Sequence, residues 1–101
     1  MRNLKIKDCQ KMIFNLEESK GFGHRIQDKI LWIGEEYGEL IHAFKHNDKK
    51  AMIEETTDIF FFIGSLWENL GVDGEKEFIR KMKKNMKRKP VHDDKEMHFD
   101  A

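Results

Sequence analysis

Apolar residues return every three or four positions through four stretches of this chain, the spacing that lines one face of an α-helix. The first stretch covers about 4–19, with Ile6, Cys9, Ile13 and Leu16 on one stripe, and runs into the breaker Lys20-Gly21-Phe22-Gly23. In the second, about 25–46, Ile26, Ile30, Ile33, Tyr37, Leu40 and Phe44 follow one another by 4, 3, 4, 3 and 4 residues. At about 100° per residue that run predicts a single core-facing stripe. Asn47-Asp48 interrupts the pattern and offers an N-cap to a third helix over 49–70, whose inward positions are Met52, Thr56, Ile59, Ile63, Leu66 and Leu70. Gly71 and Gly74 bracket a turn. A fourth helix, about 75–88, puts Phe78, Ile79, Met82 and Met86 inside and a basic surface outside before Pro90 ends it. The short link between the second and third helices predicts an antiparallel pair.

Composition narrows the class. The chain has 101 residues, enough for one domain, read as a single helical domain over 1–90 followed by a polar tail over 91–101. With 38% charged residues and one proline it favours an all-α fold. A net charge of zero gives no bulk attraction to a nucleic acid polymer. The lone Cys9 has no partner for an internal disulfide and reads as a small packing residue of a reducing compartment. The longest apolar run, 59–63, falls far short of the ~20 residues a membrane helix needs. The expectation is a cytoplasmic protein with no membrane partner.

Against this background two acidic clusters stand out, Glu36 with Glu39 in GEEYGEL and Glu55 with Asp58 in EETTDIF. Each pair is spaced i, i+3 on the flank of an apolar helix, and an antiparallel hairpin would turn both flanks into one cleft. The positions three and four residues away from each of these acids hold no Lys or Arg. Elsewhere the chain pairs its charges locally, as with Glu77 before Arg80 and Lys81. Converging carboxylates without a cation call for a counter-ion, and an all-oxygen set selects a hard one, Mg²⁺ or alternatively Mn²⁺. On the fourth helix Lys81, Lys84, Asn85 and Arg88 share one arc, a donor set suited to a polyphosphate held over such an ion. His42 and His46, an i, i+4 pair, project opposite the isoleucine stripe and lack the further ligands a zinc site requires.

Three motifs in order, EExxE at Glu35, Glu36 and Glu39, ExxD at Glu55 and Asp58, and KxxKNxxRxP from Lys81 through Lys84, Asn85 and Arg88 to Pro90, give the chain a family resemblance. Over about 23–90 it resembles the MazG-like all-α nucleoside triphosphate pyrophosphohydrolases. The resemblance implies a four- to five-helix bundle with an antiparallel central pair, its core completed as a homodimer or homotetramer. It also implies Mg²⁺-dependent conversion of a (deoxy)nucleoside triphosphate to monophosphate and pyrophosphate. In that reading Glu36, Glu39, Glu55 and Asp58 hold metal, while Lys81, Lys84, Asn85 and Arg88 bind substrate. Trp32, one turn before Glu36, lines the base pocket or packs at a helix contact. Glu35 or Glu39 orients or deprotonates the attacking water, and the residues leave that choice open. Phe60, Phe61 and Phe62 point in three directions about 100° apart, so one at least faces away from the chain's own core, which favours an oligomer. Two alternatives remain: a phosphoribosyl-ATP or dUTP-type hydrolase of the same superfamily, and a helical scaffold or regulator without catalysis.

Overall fold

A computed structural model describes residues 3–89; Pro90 and the expected polar tail over 91–101 lie outside the described residues. Four helices follow in order, α1 (Ile6–Ser19), α2 (Ile26–Lys45), α3 (Lys49–Asn69) and α4 (Gly74–Lys87), with no strand among the described residues. The described fold is all-α, the class the sequence predicts.

The helices stop where local chemistry stops them. After each of α1, α2 and α3 one residue takes a left-handed conformation: Gly21 (φ 73°), Asn47 (φ 53°) and Gly71 (φ 72°). The amide two residues past each helix cap then reaches back inside the helix, from Phe22 to Glu17 O (2.9 Å), Asp48 to Ala43 O (2.9 Å) and Val72 to Trp67 O (3.1 Å). These bonds satisfy carbonyls that a frayed end would leave open. Asp48 caps α3 by accepting from the Ala51 amide, and Asp73 caps α4 by accepting from the amides of Glu75 and Lys76.

Because only three residues link α2 to α3, two helices each about 30 Å long fold back on one another. Along the hairpin Trp32 meets Phe62, Glu36 meets Asp58, Glu39 meets Glu55, and Ala43 and Ala51 line the same hollow near the turn. Each step up α2 is matched by an equal step down α3. That is an antiparallel pair in one fixed register.

Helix α1 lies across α3. Gly64 lets it approach, for a Cβ there would sit 2.7 Å from Ile13 Cδ1. Gln10, 4% exposed, locks the crossing: its Nε2 donates to Glu68 Oε1 (2.8 Å) and Val72 O (2.7 Å), and its Oε1 accepts from the Gly74 amide (2.9 Å). Lys11 Nζ adds an ion pair to Glu68 Oε2 at 2.6 Å. One side chain therefore ties α1 to the end of α3 and the start of α4.

The face assignments depart from the sequence pattern. Expected core residues of α2 are exposed, Ile30 at 54% and Phe44 at 68%, along with Ile26 and Tyr37. The packed face of α2 instead carries Lys29, Trp32, Glu36 and Ala43. Helix α4 packs against α1 and leaves Phe78, Ile79, Met82 and Met86 exposed. Of the expected inward stripe of α3, Thr56 and the C-cap Leu70 are exposed as well. The physical reason is that periodicity reveals an apolar stripe without revealing whether this copy or another covers it. Among the described residues only Ile13 and Ala43 are buried apolar side chains, which is very little for a chain of this length.

Candidate metal centre

The register of the hairpin builds the site. Glu36 and Glu39 sit one turn apart on α2, Glu55 and Asp58 one turn apart on α3, and the antiparallel fold sets the pairs against each other. Glu36, Glu39 and Glu55 each offer a carboxylate oxygen, and those oxygens lie within 4.8 Å of one another. Asp58 lies near enough for its charge to help raise the Glu36 carboxyl. Glu36 Oε2 is buried and has no hydrogen-bond partner among the described residues.

The cluster carries the electrostatic signature of that crowding. The Glu55 carboxyl is pushed up to about 7, first by a hydrogen bond with Glu39, then by partial burial, and then by the charges of Glu39, Glu36 and Asp58. The Glu36 carboxyl is raised as well, chiefly by burial and then by the charges of Glu39 and Asp58. Among the described residues no Lys or Arg forms an ion pair with these acids, so nothing offsets their mutual repulsion. A divalent cation would do so with oxygen ligands already converged, so the residues fit a hard metal ion.

Two hollows flank the acids. One, of about 500 Å³, runs toward α1 and is walled by Trp32, Phe61, Phe62 and Ile13, with Glu35, Glu36 and Asp58 along it and Glu17 on its α1 side. The Trp32 and Phe62 rings stand 5.6 Å apart at 44°. The other, of about 580 Å³, runs toward the α2–α3 turn and is lined by Glu39, Glu55, His42, His46 and Asp48. The acids thus separate an aromatic cleft from a polar one. The His42 and His46 rings lie tilted at 37° with centres 4.2 Å apart, and His46 Nδ1 bonds His42 O. They border the acids because the packed face of α2 is rotated from its isoleucine stripe, which the sequence reading took as the reference.

A family model for the MazG nucleotide pyrophosphohydrolase domain matches residues 25–92. The chain belongs to this family. No curated protein and no solved structure gives a significant match. The MazG match covers the acidic hairpin and α4 but leaves out α1, the helix that closes the aromatic cleft.

Not every candidate lies at the acids. Trp32, Glu35, Glu36 and Asp58 line the aromatic cleft, and Glu39 and Glu55 the polar hollow. Lys81, Lys84 and Asn85 on α4 and Arg88 at its C-cap are exposed and line neither. Lys81 borders a separate depression with Trp67 and Phe78. Conversely, the structure adds an ion pair that the sequence reading passed over. Lys29, with no exposed surface, donates to Glu17 Oε2 at 2.8 Å and lies 5.1 Å from the Trp32 ring centre. Glu17 Oε1 accepts from the Ser65 hydroxyl, also at 2.8 Å. The signal was present: Lys29 sits three residues before Trp32, extending the stripe of Trp32, Glu36, Glu39 and Ala43 by one turn.

Proposed function

We propose that the chain is an Mg²⁺-dependent nucleoside triphosphate pyrophosphohydrolase, with Mn²⁺ a possible substitute. The observation that carries this reading is the convergence of Glu36, Glu39 and Glu55 with a buried carboxylate oxygen left unpaired beside an aromatic cleft. Glu36, Glu39, Glu55 and Asp58 would hold the metal. When bound, the ion supplies Lewis acidity and neutralises charge on the phosphates.

The chain's own residues then divide the work. Trp32 and Phe62 grip the base in the aromatic cleft, from which the triphosphate extends past the acids. Water attacks the α-phosphorus, a new P–O bond forms, the α–β anhydride breaks, and pyrophosphate leaves with the electron pair. The proton of that water passes to a carboxylate oxygen of Glu35, which lies exposed beside Glu36, or of Glu39. Lys81, Lys84, Asn85 and Arg88 bind phosphate oxygens of a neighbouring copy's substrate, since in their own chain they line neither hollow. The exposed apolar faces of α2, α3 and α4 bring such copies together as a homodimer or homotetramer.

No helix of the described residues is long and apolar enough to cross a membrane, and the reaction draws on a cytoplasmic nucleotide pool. The deciding experiment is release of monophosphate and pyrophosphate from a panel of nucleoside triphosphates with and without Mg²⁺. The native chain should release pyrophosphate only with metal, and Glu39→Gln and Asp58→Asn should each reduce the rate at least ~100-fold. A folded, Mg²⁺-binding native chain that turns over no nucleotide would leave the scaffold reading instead.

A further inference from the structure

The aromatic cleft contains one polar group that the proposed reaction does not use. Its acids Glu35, Glu36 and Asp58 belong to the metal end, whereas Glu17 lies on the opposite wall, contributed by α1. Glu17 is 7% exposed, and its two donors, Ser65 and Lys29, have no exposed surface. Such a buried ion pair does little for stability compared with apolar residues of similar size. What it provides is a carboxylate whose direction is fixed from both sides within an apolar slot.

Each carboxylate oxygen offers about two acceptor positions, and the protein fills one on each: Oε1 takes the Ser65 hydroxyl and Oε2 the Lys29 ammonium. His24 Nδ1, at 3.9 Å from Oε1, is too distant to take another. Glu17 therefore retains acceptor capacity and has no donor to give. The flanking Trp32, Phe61 and Phe62 hold any base by its faces, without preference for the groups on its edge.

We propose that Glu17 selects the base, favouring nucleotides whose base carries an exocyclic amino group; this rests on the nucleotide reading above. Cytosine, adenine and guanine present an amino N–H that a fixed carboxylate accepts. Uracil and thymine present a carbonyl oxygen at the matching edge, and their ring N–H lies between two carbonyls that would face the carboxylate. A site built to accept a hydrogen bond rejects an analogue lacking the donor far more strongly than an apolar pocket rejects a change in size.

The test compares equilibrium binding of non-hydrolysable α,β-imido analogues of dCTP and dUTP to the full chain with Mg²⁺, followed by tryptophan fluorescence. These pyrimidines differ only in an amino group against an oxygen at C4 and in the proton that uracil carries on N3. The native chain should bind the cytosine analogue at least ~10-fold more tightly. Glu17→Gln, whose amide can donate to a carbonyl, should narrow that ratio to within about threefold. Because this change leaves Lys29 buried without a partner, the double variant Glu17→Gln/Lys29→Met is measured alongside and should show the same narrowing. Equal binding of the two analogues by the native chain, a preference for uracil, or no binding of either overturns the proposal. So does an unchanged ratio in the folded double variant. Turnover is read separately: a chain that binds the cytosine analogue selectively yet hydrolyses nothing loses the pyrophosphohydrolase reading and keeps the selectivity.

Discussion

Glu39 and Glu55 face each other across the α2–α3 hairpin and share a hydrogen bond that pushes the Glu55 carboxyl up to about 7. The ordinary value is 4.5, so between these two the folded chain holds more protons than the unfolded one. This contribution is fully present below the ordinary value and is lost as pH rises through about 7. Glu68 acts in the opposite sense: the hydrogen bond from Lys11, followed by that from Gln10, lowers its carboxyl, so its contribution is lost on acidification. From roughly pH 6 to 8, therefore, the melting temperature of the metal-free protein should fall with rising pH, and Glu55→Gln should flatten the slope. Saturating Mg²⁺ should reverse the trend, and calorimetry in buffers of different ionisation enthalpy should detect protons released on binding.

Removing one carboxylate should separate stability from metal binding. Glu39→Gln takes a negative charge from the cluster and leaves its shape unchanged, so the metal-free protein should melt at the same temperature as the native chain or higher. Its Mg²⁺-induced rise in melting temperature should shrink or vanish. Thermal scans with and without metal check both effects.

Helix α4 depends on a close approach. The position of a Cβ on Gly74 is occupied by the Trp67 ring, and the Gly74 amide is the donor to Gln10 Oε1. A flat ring has little freedom to yield, so Gly74→Ala should cost about 1–3 kcal/mol in urea unfolding. At Gly64 the obstacle is the end of the flexible Ile13 side chain, so Gly64→Ala should cost less.

The outward apolar faces predict association. Phe44→Glu or Ile30→Glu on α2 should shift the native species toward smaller size in light scattering. The native protein's melting temperature should rise with concentration, and this dependence should weaken in the variants.

The helices were legible in the sequence because their ends are set locally. Gly21, Asn47-Asp48 and Gly71 to Gly74 mark each turn by residue type, and the observed boundaries fall within two residues of those expected. The convergence of Glu36, Glu39 and Glu55 was legible for a similar reason, since i, i+3 spacing and the absence of nearby cations are both properties of short windows. Burial was not. The stripe through Ile30 and Phe44 is more regular than the one through Lys29 and Ala43, yet packing within the chain uses the latter. Glu17, three residues before Lys20, looks like a locally paired surface acid in the sequence until Lys29 and Ser65 are brought to it from 12 and 48 residues away.

The matched steps of α2 and α3 also limit how chains of this design can change length. Inserting one residue between Trp32 and Ala43 would turn everything beyond it by about 100° and advance it by about 1.5 Å, carrying part of the acid set off the shared face. The same holds between Ala51 and Phe62. The link at His46 to Asp48 lies outside both windows, so added residues there would lengthen the bend without disturbing the pairing of acids. Length variation should therefore be tolerated at the tip of this hairpin and excluded from its arms.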